Sequence, residues 1–396
     1  MRIKSTYSSR ERVLCSLSHN EPDHVPLWNL WRKEDLPFSY RDERQRVNAV
    51  LEMGLDDSVL LKPPGPREDD LMVDSWIYPV KTRAYYKPRS SKQRYPILTK
   101  QYSTPEGTLR QSVKITDDWP FGDDVPLLSD FNVPRSEEYL IKRQEDLKRL
   151  KYILRDPTKS QIKEYRNSAR DLRNFAKKRD VFLESGWITA VDTAVWLFGL
   201  EPLIWEAASD SDFVKELLDI IYQWEKPRLE LLLKEKVDLI VHSGWYEMPD
   251  LWSPRLFRKF IKPILAKEVK LAHSAGVPFC YILTRGASLI LEDLLETGVD
   301  VLRGVDPVQG GDDLALVKEK IGDQITIWGG MNAAITLGRG TQKEIREAVD
   351  IAIRTLAPDG GFVLYPVDQI YHDTPWENIQ VMIEHWREIG EYPLKI

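Results

Sequence analysis

The sequence predicts a (β/α)8 TIM barrel, an α/β fold, with a small β-rich excursion after the second strand. Three observations predict it. Short apolar runs alternate with amphipathic helical stretches along most of the 396 residues, the rhythm of parallel β/α units. The runs at 25–29, 57–61, 181–184, 238–242, 278–283, 300–304, 325–329 and 361–365 number eight, the count of a closed barrel. No glycine-rich phosphate fingerprint follows the first run, as an open doubly wound nucleotide-binding sheet would carry.

Taken in order, the first helix lies in RERVLCSLSH, with Ser9 as its expected cap, and Pro22 to Pro26 turn the chain into the strand VPLWN. RDERQRVNAVLEMG spaces Val47, Val50 and Leu51 at helical intervals and stops at Gly54; DDSVLLK is the second strand. Residues 63–155 break the rhythm. WIYPVKTRAYY, YPILTKQYST and TLRQSVKIT read as β segments, the last two joined by a PEG turn, and DDWPFGDDVPLLSDFNVP reads as loop. This stretch is expected to be a subdomain or lid inserted in a single barrel domain spanning 1–396. Beyond 159 the alternation is regular. Helices at 189–208 and 210–235 lead to VDLIVH, SPRLFRKFIKPILAKEVKLAHSAG to VPFCYIL, LILEDLLETG to VDVLRGV, LALVKEKIG to ITIWGG, and TQKEIREAVDIAIRTLA to GFVLY; a last helix begins near Pro375.

Bulk composition narrows the function. A net charge of −6 lacks the basic face that nucleic acid requires. Two distant cysteines, Cys15 and Cys280, offer no disulfide framework or CxxC knuckle, which suits a reducing, cytoplasmic setting. The N-terminus lacks the apolar core of a signal peptide, and no apolar run is long enough to span a bilayer. Thirteen tryptophans supply core and, in a pocket, a wall for a flat ligand.

A barrel does its chemistry at the strand C-terminal ends. There the chain places Trp28 and Lys62, then Glu184 with Trp187, His242 with Trp245 and Tyr246, Arg285, Asp306, Asn332, and Tyr365 with Asp368. Ionisable groups beside aromatics make a candidate site. His242, Glu184 and Asp368 are the candidate catalytic groups. Trp31, Trp187, Trp245, Tyr246, Arg285, Asp306, Asn332 and Tyr365 are candidate substrate contacts, with Arg285 before a helix suited to an anion. Each has a plainer reading: His242 as a satisfied buried histidine, Glu184 and Asp306 as caps, the tryptophans as packing. The pairs Gly329–Gly330 and Gly360–Gly361 read as backbone fits.

RERVLCSLSHNEPDHVPL, SPRLFRKFIKPILAKEVKLAHSAGVPF, LLETGVDVL, ITIWGGMNA and DTPWENI together resemble the uroporphyrinogen decarboxylase superfamily, over most of the chain outside 63–155. The resemblance implies the barrel and two branches of chemistry. The decarboxylases act on a tetrapyrrole without metal or cofactor; LTRGAS is similar to their fifth-strand motif, but their Gly-His-Gly end of the eighth strand reads Val367-Asp368-Gln369 here. Their arginine-rich RQAGRY motif is represented only by Trp31-Arg32-Lys33. The cobamide-dependent methyltransferases are the other branch. Their thiol-specific members carry a zinc-binding His-x-Cys at the fifth strand, where this chain has Leu283 and Arg285. Members acting on methoxylated aromatics build zinc from glutamates and a histidine, which makes Glu184 and His242 the candidate zinc ligands. The resulting expectation is methyl transfer from a small, methoxylated aromatic substrate to a corrinoid (cobalamin) carried by a partner protein, in a chain free to form a homodimer. The alternatives are a carboxy-lyase on a porphyrinogen-type substrate and a non-catalytic barrel subunit of a methyl-transfer complex.

Overall fold

The computed structural model describes residues 5–28, 42–64, 80–87, 94–185, 188–209, 212–368, 370–371 and 373–395. Among them run strands β1 (Ser58–Leu61), β2 (Lys81–Tyr86), β3 (Ile97–Thr104), β4 (Gly107–Lys114), β5 (Ser136–Glu138), β6 (Phe182–Ser185), β7 (Ile240–Ser243), β8 (Phe279–Ile282), β9 (Val301–Val305), β10 (Thr326–Asn332) and β11 (Phe362–Val367). They divide between two compact units, one of Met1–Lys62, Arg166–Trp187 and Leu232–Ile396, the other of Pro63–Tyr165 and Ile188–Leu231.

The first unit is the barrel. β7 to β11 form one parallel sheet in chain order, and β1 pairs in parallel with β6. Three parallel bridges complete the ring: Leu27 with Leu364, Trp28 with Asp56, and Glu184 with Leu239. The short run at Leu27 and Trp28 is therefore the first stave, wedged between β11 and β1 by Trp28 N–H to Leu364 O (2.9 Å) and Asp56 N–H to Leu27 O (3.0 Å). All eight expected strands are present. They are buried on both faces and mostly apolar, because the ring's inner face meets the core and its outer face meets helices.

Local chemistry explains the helix ends. Ser8, one residue before the expected cap, accepts from Glu11 N–H, while Glu11 returns a bond to Ser8 N–H; this reciprocal box outcompetes Ser9, which is already helical. Thr341 and Glu344 repeat the device before Gln342–Leu356. The long segment after β7 is broken into Pro249–Leu256, a wide turn at Phe257–Ile261, and Lys262–Ser274. Gly329 shows why the paired glycines are there: a Cβ would lie 2.4 Å from Val305 O, where the β9–β10 register shifts between Trp328 and Gly329.

The second unit holds the antiparallel sheet β2-β3-β4-β5. Its β3–β4 hairpin turns where Thr104 Oγ1 donates to Gly107 O at 2.7 Å. Leu98, Val113 and Val125 form its core, with Ala84, Ile115 and Trp119 against them. The unit runs past the expected 63–155 to take in 156–165 and the residues from Ile188 to Leu231. The single helix expected over 189–208 is two, Ala190–Phe198 and Leu200–Ala208. Gly199 separates them at φ +92°, where a Cβ would sit 2.5 Å from the Tyr139 ring. No helix among the described residues is long and apolar enough to cross a membrane.

Candidate functional site

Alternation along each strand decides which residues face the barrel axis. Trp28, Phe182, Val241, Cys280, Val301, Trp328 and Tyr365 belong to one buried cluster, so their parity marks the interior. Glu184 shares the parity of Phe182, and Arg303 that of Val301. The two meet there. Arg303 Nη1 donates to Glu184 Oε1 at 2.7 Å, and Ser58 Oγ donates to Glu184 Oε2 at 3.3 Å. Both side chains are buried. The guanidinium carbon lies 4.1 Å from the centre of the Trp328 ring and 6.0 Å from that of Trp28, and these rings meet edge to face at 4.7 Å. Burial works against the charge of Arg303, but Glu184 outweighs it and holds the guanidinium ionised. Burial pushes the neighbouring Cys280 thiol up to about 12.

His242 has the opposite parity to Val241 and turns its ring away from the axis. Its Nδ1 is 2.7 Å from Glu268 Oε2 on the helix Lys262–Ser274, and its Nε2 is 3.0 Å from Glu247 Oε1. Tyr281 donates its hydroxyl to Glu247 Oε2 at 2.9 Å. All three charged groups are buried. Burial alone would depress the imidazolium, but Glu247 and Glu268 together hold its pKa well above the ordinary histidine value. With both nitrogens engaged by carboxylates, the ring has no lone pair left for a metal or a substrate proton. The site expected of Glu184 and His242 is therefore not assembled, because they leave opposite faces of adjacent strands. Among the described residues no cluster of three or more His, Cys, Asp or Glu is placed to hold a metal ion. Glu184 and His242, each held by its own partners, do not fit zinc as joint ligands.

Instead His242 sets the shape of the loop after β7. Glu247 stands just beyond Trp245 and Tyr246, so fixing its carboxylate through His242 and Tyr281 restrains the loop that carries them. Trp245 is half-buried against the interior cluster, and the Tyr246 carbonyl accepts from Trp252 Nε1 at 2.7 Å.

The other strand-end residues divide in two. Tyr365 belongs to the interior cluster and donates its hydroxyl to the Asp368 carbonyl at 2.5 Å, with the Asp368 side chain exposed beyond it. Asp306 and Asn332 hold each other. Asn332 Nδ2 donates to Asp306 Oδ2 (2.7 Å) and to Gln309 Oε1 (2.9 Å), Asn332 Oδ1 accepts from Ile335 N–H (2.7 Å), and Asp306 Oδ1 accepts from Val308 N–H (2.8 Å). They build the loops after β9 and β10. Asp312, raised to about 6 by burial, joins the same loops by accepting from Asp306 N–H and Ser288 Oγ. Arg285 is more than half exposed and pairs with Asp250 at 3.1 Å. Trp31 and Trp187 lie outside the described residues. Sequence reasoning missed Arg303, Glu247 and Glu268. Arg303 carried a signal, a lone charge in the middle of the apolar strand VDVLRGV.

A family model described as Uroporphyrinogen decarboxylase (URO-D) matches residues 120–389. A methylcobamide:CoM methyltransferase, MtaA, of Methanosarcina barkeri is 26% identical over 205 residues, 52% of this chain and 57% of that protein. The MtaA of Methanosarcina barkeri strain Fusaro / DSM 804 is 25% identical over 207 residues, with the same coverage. The chain thus spans little more than half the length of the curated relatives it matches. In three dimensions it is similar to a methyltransferase from Methanosarcina mazei, with a TM-score of 0.56 and 19% identity over 96% of this chain and 99% of that one. That likeness is one of fold.

Proposed function

The chain belongs to the uroporphyrinogen decarboxylase family, and on that premise we propose that it transfers a methyl group between a small substrate and a corrinoid presented by a partner protein. The observation that carries this reading is the sequence similarity to two methylcobamide:CoM methyltransferases. A methoxylated aromatic is the substrate class we favour. The corrinoid supplies the cobalt centre that takes or gives the methyl group. The chain's own task is to bind the substrate and aim the methyl-bearing bond outward. The barrel axis is filled by Trp28, Phe182 and Trp328, all fully buried, so a macrocycle cannot enter and must meet the substrate at the rim. Trp245, Tyr246 and Tyr365 offer flat walls there for an aromatic ring. Asp368 stands at the rim in reach of solvent, suited to accept and release a proton as the oxygen that loses its methyl is protonated. Glu184 acts from below by holding Arg303. His242 is a positioning residue that sets the loop bearing Trp245. Zinc has no part in this reading.

The test is a pair of spectroscopic assays on the purified chain. One follows consumption of methylcobalamin with thiol or phenol acceptors, the other consumption of cob(I)alamin with methoxylated benzoates. Transfer in either direction is the expected result. No transfer with any pair, together with carbon dioxide release from a porphyrinogen, would replace this reading with the carboxy-lyase.

A further inference from the structure

We propose that Asp312 is a positioning residue for the strand-end rim: its carboxylate clasps the loop after β8 to the loop after β9, and uptake of a proton by that carboxylate lets the β8 loop go. The inference stands apart from the methyl-transfer reading and holds for whatever reaction the rim serves. It starts from DPVQGGDD, the run from Asp306 to Asp313. The last two acids of that run have different tasks. Asp313 is exposed and caps the next helix, Leu314–Ile321, accepting from Ala315 N–H at 3.0 Å and Leu316 N–H at 3.1 Å. With the cap supplied by its neighbour, Asp312 turns inward and is 4% exposed.

Its two oxygens serve different loops. Oδ2 accepts from Asp306 N–H at 3.2 Å, while Asp312 N–H donates to Asp306 O at 3.0 Å, so this side closes the β9 loop on itself. Oδ1 reaches across to the β8 loop, accepting from Ser288 Oγ at 3.2 Å and Ser288 N–H at 3.4 Å. The loops lie close together there: a Cβ on Gly310 would stand 3.0 Å from Thr284 O. All three donors are neutral. From its own loop Asp312 is faced by the Asp306 carboxylate, which repels its charge; on the β8 side stands Arg285, already paired with Asp250. Burial without a cation makes the charge costly and raises Asp312 to about 6. At pH 5 the protonated form therefore outnumbers the ionised one about ten to one. Where the proton goes follows from what each oxygen would abandon. Asp306 N–H is buried and would be left without its acceptor, a costly state. Ser288 is part-exposed, so water can replace the carboxylate there. The proton goes to Oδ1, the Ser288 arm is released, and the β9 loop keeps its own closure. The freed segment carries Arg285 and Leu289, both exposed, and the Arg285–Asp250 pair that still ties it is a weak, exposed restraint.

The test is amide hydrogen exchange of the full-length chain at pH 7.5 and pH 5, resolved to single residues by mass spectrometry and corrected for the intrinsic rate at each pH. It needs no substrate or corrinoid, so a failure of methyl transfer leaves its outcome untouched. Protection of the Ser288 amide should fall about tenfold at pH 5, following the ionised fraction of Asp312, while protection of the Asp306 amide holds. Asp312→Asn copies the protonated acid in shape and charge, with its amide oxygen on the Asp306 side. At pH 7.5 it should show the weak Ser288 protection that the wild type shows at pH 5, with no further change between the two. The charge it removes weighs against the fold at neutral pH, because burial raises the folded pKa above the unfolded one. Its melting temperature at pH 7.5 should therefore not fall below that of the wild type; a lower one would count against the proposal. Ser288 protection that is equal at both pH values, or that falls together with Asp306 and the amides within β9, would overturn it. So would an Asn variant that keeps full Ser288 protection at pH 7.5.

Discussion

Replacing His242 with alanine should destabilise the barrel rather than merely silence it. The imidazolium stands between Glu247 and Glu268, at 3.0 and 2.7 Å, with all three side chains buried. Removing the cation leaves two carboxylates in a dry layer, one kept in place by Tyr281 alone. Deleting one partner of a buried ion pair costs about 3–5 kcal/mol, and a second orphaned acid puts this case at the upper end. Denaturant unfolding of both proteins, followed by circular dichroism and tryptophan fluorescence, measures the difference. Its pH dependence has a definite sign. The folded pKa of His242 is raised, so the stability it confers is fully present below the unfolded value of about 6.5 and is lost only as pH climbs through the folded value. The gap between wild type and variant should persist through neutral pH and close in the alkaline range. Adding Glu247→Gln and Glu268→Gln to the alanine variant should recover part of the loss. A deficit below about 1 kcal/mol, the scale of an exposed pair, would refute the reasoning and return His242 to the list of candidate acid–base groups.

Three further outcomes are expected. Cys280, fully buried with its thiol pushed up to about 12, should resist alkylation at pH 8 in the native protein and react once it is unfolded; rapid native labelling, mapped by mass spectrometry, would contradict its burial. Gly304→Ala places a Cβ 2.6 Å from Leu283 O at a residue with φ +108°, and should cost about 1–3 kcal/mol or more by combining a backbone clash with a left-handed conformation; an unchanged unfolding midpoint counts against the β8–β9 geometry. Arg285→Ala breaks only an exposed pair with Asp250 and should shift stability by less than about 1 kcal/mol; a larger loss in denaturant unfolding would contradict that exposure.

The sequence made the barrel readable because parallel strands and amphipathic helices differ in period, and their alternation survives any uncertainty about ends. The side of each strand was another matter. In IVHS every residue is buried, so alternation of polarity, the usual guide to facing, is absent, and a single-residue shift carries His242 from the axis to the helix layer. The clue lay 26 residues on. Glu268 occupies the apolar stripe of its helix with Leu265, Val269 and Ala272, and an acid there requires a buried partner. Arg303 was legible as an anomaly in its strand but not as the partner of Glu184, since nothing local links residues 119 apart. Asp306 had a plainer reading as a helix cap, but it turns the loop onto Val308 N–H instead, and Asn332, read only as a substrate contact, bonds Ile335 N–H.

The ring of staves is bound unevenly. Five of them, β7 to β11, come from one continuous stretch of chain and share ladders of several residues, whereas the first stave is held by a bridge on each side, and β6 meets β7 through the single bridge of Glu184 with Leu239. Closing the ring at Leu27 and Leu364 joins positions almost at opposite ends of the chain, the costliest kind of loop to close. The five-stave arc can therefore gather early, and the hoop is fastened last. In heavy water the amides of Trp28 and Ser185, which donate across those seams, should exchange ahead of those inside β9 and β10. The seam at Glu184 is also where the acid paired with Arg303 is anchored, so each brief parting of the hoop would loosen the grip on that guanidinium first.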